Sequence, residues 1–307
     1  MDCRYRARDA GWPGRRPTGW ASAQAATDAG AEGAEAVTVG VLGPVQAWRA
    51  GRLLSVGPAQ RQLVLAILAL RAGTAVPRGD LVDALWEQAP DSAVNTVHKH
   101  ICALRVVLEP VRLRRDGQLL ATVTGGYELR LAPRSVDALA FARDTARGRR
   151  AAAAGDLPTA AAALSAALQL WRGSALAGLD GPRVPPMAQA LHEAQLAATE
   201  DHARVLLALG RPRQAAAALA GPSAGHRLRE SLCQLLMLAR YQAGDLPGAL
   251  DAYHGTRQAL ATELGTDPGP ALSGLLRQIL RRDPGLNPPA STAPGPCQGM
   301  PSRQPRR

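Results

Sequence analysis

Between Val94 and Leu108 the apolar residues Val94, Val97, Ile101, Leu104 and Leu108 recur at intervals of three and four. That spacing suits an α-helix with one buried stripe and not a half-buried strand, whose apolar residues would alternate. The choice matters because the same segment, NTVHKHICALRVVLEP, carries His98, the chain's one lysine (Lys99), His100 and Cys102. On a strand His98, His100 and Cys102 would share a face and resemble a metal site. On a helix at about 100° per residue the two histidines fall about 160° apart and cannot grip one ion. The pair His98 and Cys102 offers two ligands, fewer than a structural site needs.

With the stripe turned to a core, Asn95, Thr96, Lys99, Cys102, Ala103 and Val106 take the opposite side. Such a face can enter a major groove, with His98, His100 and Arg105 flanking it towards phosphates. The bland alternative is a solvated amphipathic helix with incidental polar residues.

The flanking segments predict the surroundings of this helix. VTVGVLGPVQAW alternates and is punctuated at Gly43-Pro44, and RLLSVG follows a turn at Gly51, so three short strands come first. PAQRQLVLAILALRAG is apolar nearly all round from Leu63 to Leu70, which predicts a buried helix closed by Gly73. PRGDLVDALWE predicts a short second helix, and Asp91 or Ser92 caps the third. LLATVTG and GYELRLA then form a hairpin broken at Gly125-Gly126. Strands, three helices and a hairpin outline a winged helix-turn-helix.

Net charge is +11, almost all of it arginine, yet it is spread out: residues 36–132 hold 11 basic against 7 acidic side chains. Charge alone therefore invites a nucleic-acid partner without locating it. The single lysine is more decisive, because Lys99 sits between histidines and no Gly-Lys-Ser/Thr phosphate loop exists. G-x-S-x-G, H-E-x-x-H and G-x-G-x-x-G are also absent. The expectation is a non-enzyme without cofactor or metal. Cys3, Cys102, Cys233 and Cys297 are too scattered for a disulfide framework, and no apolar run approaches a membrane span, which predicts a cytoplasmic protein. Residues 1–35 and the tail 284–307 read as disordered from their Gly, Pro, Ala and Ser content.

From about Val136 to Arg282 the pattern is helical throughout and repeats itself. Gly155, Gly210 and Gly244 are each followed five residues later by an alanine: Ala160, Ala215 and Ala249. Gly210 to Gly244 is 34 residues, the tetratricopeptide period, whereas Gly155 to Gly210 is 55, so the array is irregular. Glycine would end one helix in a left-handed conformation, Asp156 or Asp245 would cap the next, and the small alanine would let helices approach closely.

VGVLGPVQ (39–46), residues 81–110 and TGGYELRL (124–131) resemble the OmpR-type winged helix, most closely as it occurs in the SARP family, the Streptomyces antibiotic regulatory proteins. Residues 135–179 and 226–272 resemble the bacterial transcriptional activator domain that follows it there. The resemblance implies a mainly α fold: an α+β winged helix (36–132) and an all-α tetratricopeptide-like domain (135–283). It implies a third helix in the major groove, a wing at the minor groove, and a loop at Glu87–Asp91 facing RNA polymerase. By position Lys99 and Ala103 fall among base-facing residues. Asn95, Thr96, His100 and Arg105, with wing residues Thr124 and Tyr127, fall among phosphate-facing ones. Cys102 and Ala103 stand where response-regulator relatives often have arginine, so this helix carries fewer charges, and methyl-bearing Ala103 and Val106 suit thymine methyls.

The resemblance further implies a homodimer on direct repeats beside a promoter, activating a secondary-metabolite gene cluster. Relatives tend to begin near VTVGVLGPV, which makes Val37 an alternative start. The competing expectations are a helical-repeat interaction module without productive DNA binding, and a repressor that occludes the promoter.

Overall fold

The computed structural model describes residues 37–109 and 119–286. The expected disordered arm and all but three residues of the expected tail lie outside them. The exception is Pro284–Leu286, which form one 3-10 turn. The Leu286 carbonyl accepts a bond of 2.6 Å from the Gln242 amide, and its side chain packs on a hydrophobic cluster, enough to order the first turn of that segment.

Two compact units emerge, interleaved along the sequence: residues up to 148 with 162–195, and 149–161 with everything from 196 on. In the first unit β1 (Val37–Gly40), β2 (Gln46–Arg49) and β3 (Arg52–Leu54) form an antiparallel sheet in that order. The β2–β3 turn consists of Ala50 and Gly51, both at positive φ (49° and 75°). That geometry matches the right-handed twist of the strands it joins.

Helix α1 (Ala59–Leu70) is buried continuously from Leu63 to Ala69, as its all-round apolarity predicts. A two-residue strand, β4 (Val76–Pro77), leads directly into α2 (Arg78–Leu85), and α3 (Ala93–Leu108) follows. β5 (Leu120–Val123) and β6 (Gly126–Leu129) form the hairpin. Its turn is Thr124-Gly125, with Gly125 at φ 80°, rather than Gly125-Gly126. Gly126 instead belongs to β6 and serves another purpose. β4 pairs with β6 to give a three-stranded sheet of order β4-β6-β5, and a Cβ at Gly126 would collide with the Val76 carbonyl and Pro77.

Helix α4 (Asp137–Ala153), helix α5 (Leu157–Gln169) and the segment after it close this unit over the first sheet. The Asp137 side chain is fully buried and accepts from the Val41 amide at 2.8 and 2.9 Å and the Leu42 amide at 3.0 Å. Arg172 donates to the same carboxylate at 3.2 Å and to Gln46 Oε1 at 2.6 Å, with its guanidinium 5.1 Å from the centre of the Trp48 ring. Burial pushes the Asp137 pKa up, against the pull of the two amides and of Arg172. The Leu42 carbonyl accepts from the Arg172 amide and the Val41 carbonyl from the Leu176 amide, so backbone polar groups of the β1–β2 loop are satisfied from 95–135 residues away in sequence.

The second unit is all helical. It takes in the end of α4, the start of α5, the latter part of α6 (Val184–Ala208), then α7 (Pro212–Gly225), α8 (Glu230–Gln242), α9 (Leu246–Leu264) and α10 (Pro270–Leu280). The repeated Gly and Ala positions work as their spacing predicts. Gly155, Gly210 and Gly244 lie at φ 80°, 68° and 85°, and Ala160, Ala215 and Ala249 are completely buried. Asp156 accepts from the Thr159 amide at 3.1 Å and Asp245 from the Gly248 amide at 2.9 Å, capping α5 and α9. Between α6 and α8, nearly buried Glu200 accepts from Ser231 (2.7 Å), Arg229 (2.7 Å) and Arg204 (3.1 Å).

Candidate nucleic-acid interface

Ala93, Val97, Ile101, Leu104 and Leu108 form the buried stripe of α3. Val94, expected on that stripe, is 49% exposed, because the N-terminal end of the stripe is completed by Ala93. Ser92 is the cap residue, but its side chain makes no capping bond. Its carbonyl instead accepts from the Thr96 amide at 2.9 Å and the Thr96 hydroxyl at 3.1 Å. The loop from Glu87 to Ser92 that leads into α3 is exposed at every residue.

The sequence-predicted site residues separate into two groups. Asn95, Lys99 and Cys102 are exposed on α3 and Thr124 at the hairpin turn, while Thr96 and Ala103 are half-buried. Of the remaining four, Arg105 and Tyr127 are engaged within the protein, His98 is exposed but touches the hairpin, and His100 is half-buried. Arg105 donates from Nε to the Leu120 carbonyl at 2.9 Å and from Nη2 to the Thr122 hydroxyl at 2.7 Å, tying α3 to β5. Tyr127 is only 4% exposed, and its hydroxyl lies 3.4 Å from His98 Nδ1; the other ring nitrogen of His98 is 3.5 Å from Cys102 Sγ. His100 is half-buried, its Nε2 has no hydrogen-bond partner, and burial followed by the Arg61 charge lowers its pKa. A neutral, shielded imidazole is a poor phosphate ligand. His98 turns to the hairpin, and His100, two residues further along the helix, lies about 160° away, so the two histidines do not converge.

Further contacts that fix α3 and the hairpin have no local signal in the sequence. β5 is an edge strand, and Leu120 there satisfies both backbone groups on α3-derived side chains: its carbonyl on Arg105 and its amide on Glu109 Oε1 at 2.9 Å. Arg49 of β2 donates to the Val107 carbonyl at 2.9 Å, holding the C-terminal end of the helix. Arg78, exposed at the start of α2, donates its amide to the Gly125 carbonyl at 3.0 Å and so stands beside the hairpin turn. Only the β4–β6 pairing brings Arg78 there, and a two-residue strand leaves no periodic signal. Among the described residues no group of three or more His, Cys, Asp or Glu side chains is arranged to hold a metal, and no helix is long and apolar enough to cross a membrane.

A helix held on a three-helix core with its polar face outward and a hairpin locked to its flank, followed by a helical-repeat region, defines a winged-helix transcriptional regulator. Comparison with known proteins agrees. Residues 51–129 match the family "Transcriptional regulatory protein, C terminal", and residues 136–280 match "Bacterial transcriptional activator domain". Regulatory protein DnrI of Streptomyces peucetius is 34% identical over 81% of this chain and 94% of its own length. Regulatory protein AfsR of Streptomyces coelicolor is 42% identical over 82% of this chain, which spans 25% of that longer protein. The solved structure of Mycobacterium tuberculosis EmbR in complex with a low affinity phosphopeptide superposes with a TM-score of 0.75 at 34% identity, covering 81% of this chain and 66% of that one. The chain belongs to the SARP family of transcriptional regulators.

Proposed function

We propose that this protein is a sequence-specific, cytoplasmic DNA-binding activator of a secondary-metabolite gene cluster. Two copies bind direct repeats beside a promoter, each laying α3 in a major groove with the β5–β6 hairpin over the adjoining minor groove. Asn95 and Lys99 read base edges, Thr96, Thr124 and Arg78 meet the backbone, and Arg105, His98 and Tyr127 position the hairpin. The exposed loop from Glu87 to Asp91 meets RNA polymerase. The observation that carries this reading is the division on α3: every buried side chain belongs to the core stripe, while Asn95 and Lys99 are exposed on the other side, framed by a hairpin that Arg105 anchors.

The family names of the relatives support a regulatory role, and the helical repeat region supports a dimer or a protein partner. Footprinting the full chain on DNA upstream of neighbouring biosynthetic genes, across a salt series, tests the reading. Protection of spaced direct repeats upstream of the polymerase site is the expected result. Protection across the polymerase site itself would mean a repressor, and no protection by folded protein at any salt would leave the helical repeats as the functional part.

A further inference from the structure

We propose that the C-terminal half of α3 selects thymine: Val106 and Cys102 bind C5-methyl groups of T·A pairs in the major groove, and this apolar readout, not a charged one, sets much of the operator preference. The inference rests on the DNA-binding reading above and adds to it the chemistry of the target.

Four exposed residues share one narrow strip of α3. Counting about 100° per residue from Lys99, Val106 lies about 20° away, Asn95 about 40° and Cys102 about 60°, all on the same side. From Asn95 to Val106 the strip runs about 16 Å at 1.5 Å per residue, the length of roughly five stacked base pairs. Its N-terminal half is polar, with Asn95 and Lys99; its C-terminal half carries Cys102, whose thiol lies 3.5 Å from His98 Nε2, and the aliphatic Val106. Val106 is 55% exposed, one of six large hydrophobic side chains so placed among the described residues, and it sits on the element that would enter the groove. Val94, also exposed, lies well off the strip and takes no part.

The side chains that could have made this end polar are withdrawn. Arg105 is spent on Leu120 and Thr122, which leaves Lys99 as the one lysine or arginine of α3 clear of such contacts among the described residues, while exposed His98 leans on Tyr127 at 3.4 Å. An apolar strip pressed against base edges strips water from them without returning hydrogen bonds, which is costly unless the base offers an apolar group. In the major groove thymine alone among the four bases does so, through its methyl. The polar half fits purines instead: asparagine pairs with adenine N6 and N7, and lysine with guanine O6 and N7. The strip therefore fits a half-site with purine contacts towards the Asn95 end and thymine towards the Val106 end.

The test begins with selection of the preferred duplex from randomised DNA by the full chain. Each thymine of the selected site is then replaced singly by uracil, which removes the methyl and leaves pairing intact. The expected result is a loss of roughly three- to tenfold at one or two positions, the scale of burying one methyl-sized group. Val106→Ala should weaken binding to the thymine site by a similar factor and abolish the thymine–uracil difference there. A change in DNA stiffness on losing the methyl would persist in that variant, so the double comparison separates it from direct contact. Equal binding of every uracil duplex, or a uracil penalty unchanged in Val106→Ala, overturns the proposal while DNA binding stands. Failure to enrich any duplex overturns the DNA-binding reading itself.

Discussion

Lys99 and Arg105 lie six residues apart on one helix, and the sequence presents both as DNA-facing cations. The structure separates them. Lys99 is exposed with no partner among the described residues, so Lys99→Ala should leave the fold intact and weaken binding to the preferred site by about 1–3 kcal/mol if it reads a base edge. Competition with mismatched duplexes checks this, since preference at one position should relax as well. Arg105 already holds Leu120 and Thr122 at 2.9 and 2.7 Å. Arg105→Ala should therefore weaken binding to all sequences alike, through a loosened hairpin. A phosphate contact contributes about 0.9 to the slope of log affinity against log salt. If Arg105 only positions the hairpin, the slope measured for Arg105→Ala matches the wild type; a slope shallower by about one would make it a direct contact. The sequence could not distinguish the two residues, because Arg105's partners depend on a hairpin at least 15 residues further along.

At the scale of elements, what was legible is what local periodicity determines. The α3 stripe, the all-round burial of α1 and the Gly–Ala recurrence of the repeats each rest on a helix's own geometry, and each is found in place except that Ala93, not Val94, begins the stripe. The hairpin turn was displaced by one residue because Gly125 and Gly126 look alike in sequence but meet different demands. Gly125 needs a positive φ, whereas Gly126 needs no side chain, since β4 passes against it. Gly126→Ala should destabilise the first unit by on the order of 1–3 kcal/mol, the usual cost of forcing a methyl into packed backbone, as read from denaturant unfolding. Gly125→Ala strains a turn instead and leaves β4 in place.

Most of the Glu200 cluster was equally invisible: Arg204 is one turn along the same helix, but Arg229 and Ser231 come from 29 and 31 residues away. Burial raises the Glu200 pKa, but the bonds from Ser231, Arg229 and Arg204 outweigh it and bring the net value down. A carboxylate with a depressed folded pKa contributes stability that is complete above its unfolded pKa and is lost as pH falls through the folded value. The helical signal of the second unit should thus lose stability below the ordinary carboxylate range. Thermal melts at neutral and acid pH should show a smaller difference for Glu200→Gln than for the wild type; an equal difference would place the acid sensitivity elsewhere.

For the whole molecule, linear domains and compact units are different divisions of the chain. Family matches end one segment at residue 129 and begin the next at 136, yet the first compact unit also takes in residues 137–148 and 162–195. The reason lies in the β1–β2 loop, whose amides at Val41 and Leu42 are satisfied by Asp137, and whose carbonyl at Leu42 is satisfied by the Arg172 amide. Gly40 is part of the same arrangement, since a Cβ there would run into the Arg172 guanidinium and the Trp48 ring. A fragment cut at residue 132 retains every element of the winged helix but exposes Val39, Val41 and Leu42, all fully buried in the intact chain, and leaves those amides to water. Such a fragment should be less stable than one ending at residue 195 by at least on the order of 3 kcal/mol, the scale of exposing two or three buried aliphatic side chains. In the longer fragment Asp137→Ala should reproduce much of that loss. Urea unfolding of the three proteins decides it: equal midpoints for the two fragments would mean the winged helix is self-sufficient and the Asp137–Arg172 contact merely rests on it. A lower midpoint for the short fragment would mean that the winged-helix fold is completed by the segment after it, so that a change at Asp137 or Arg172 is felt at the sheet that holds Arg49 against the end of α3.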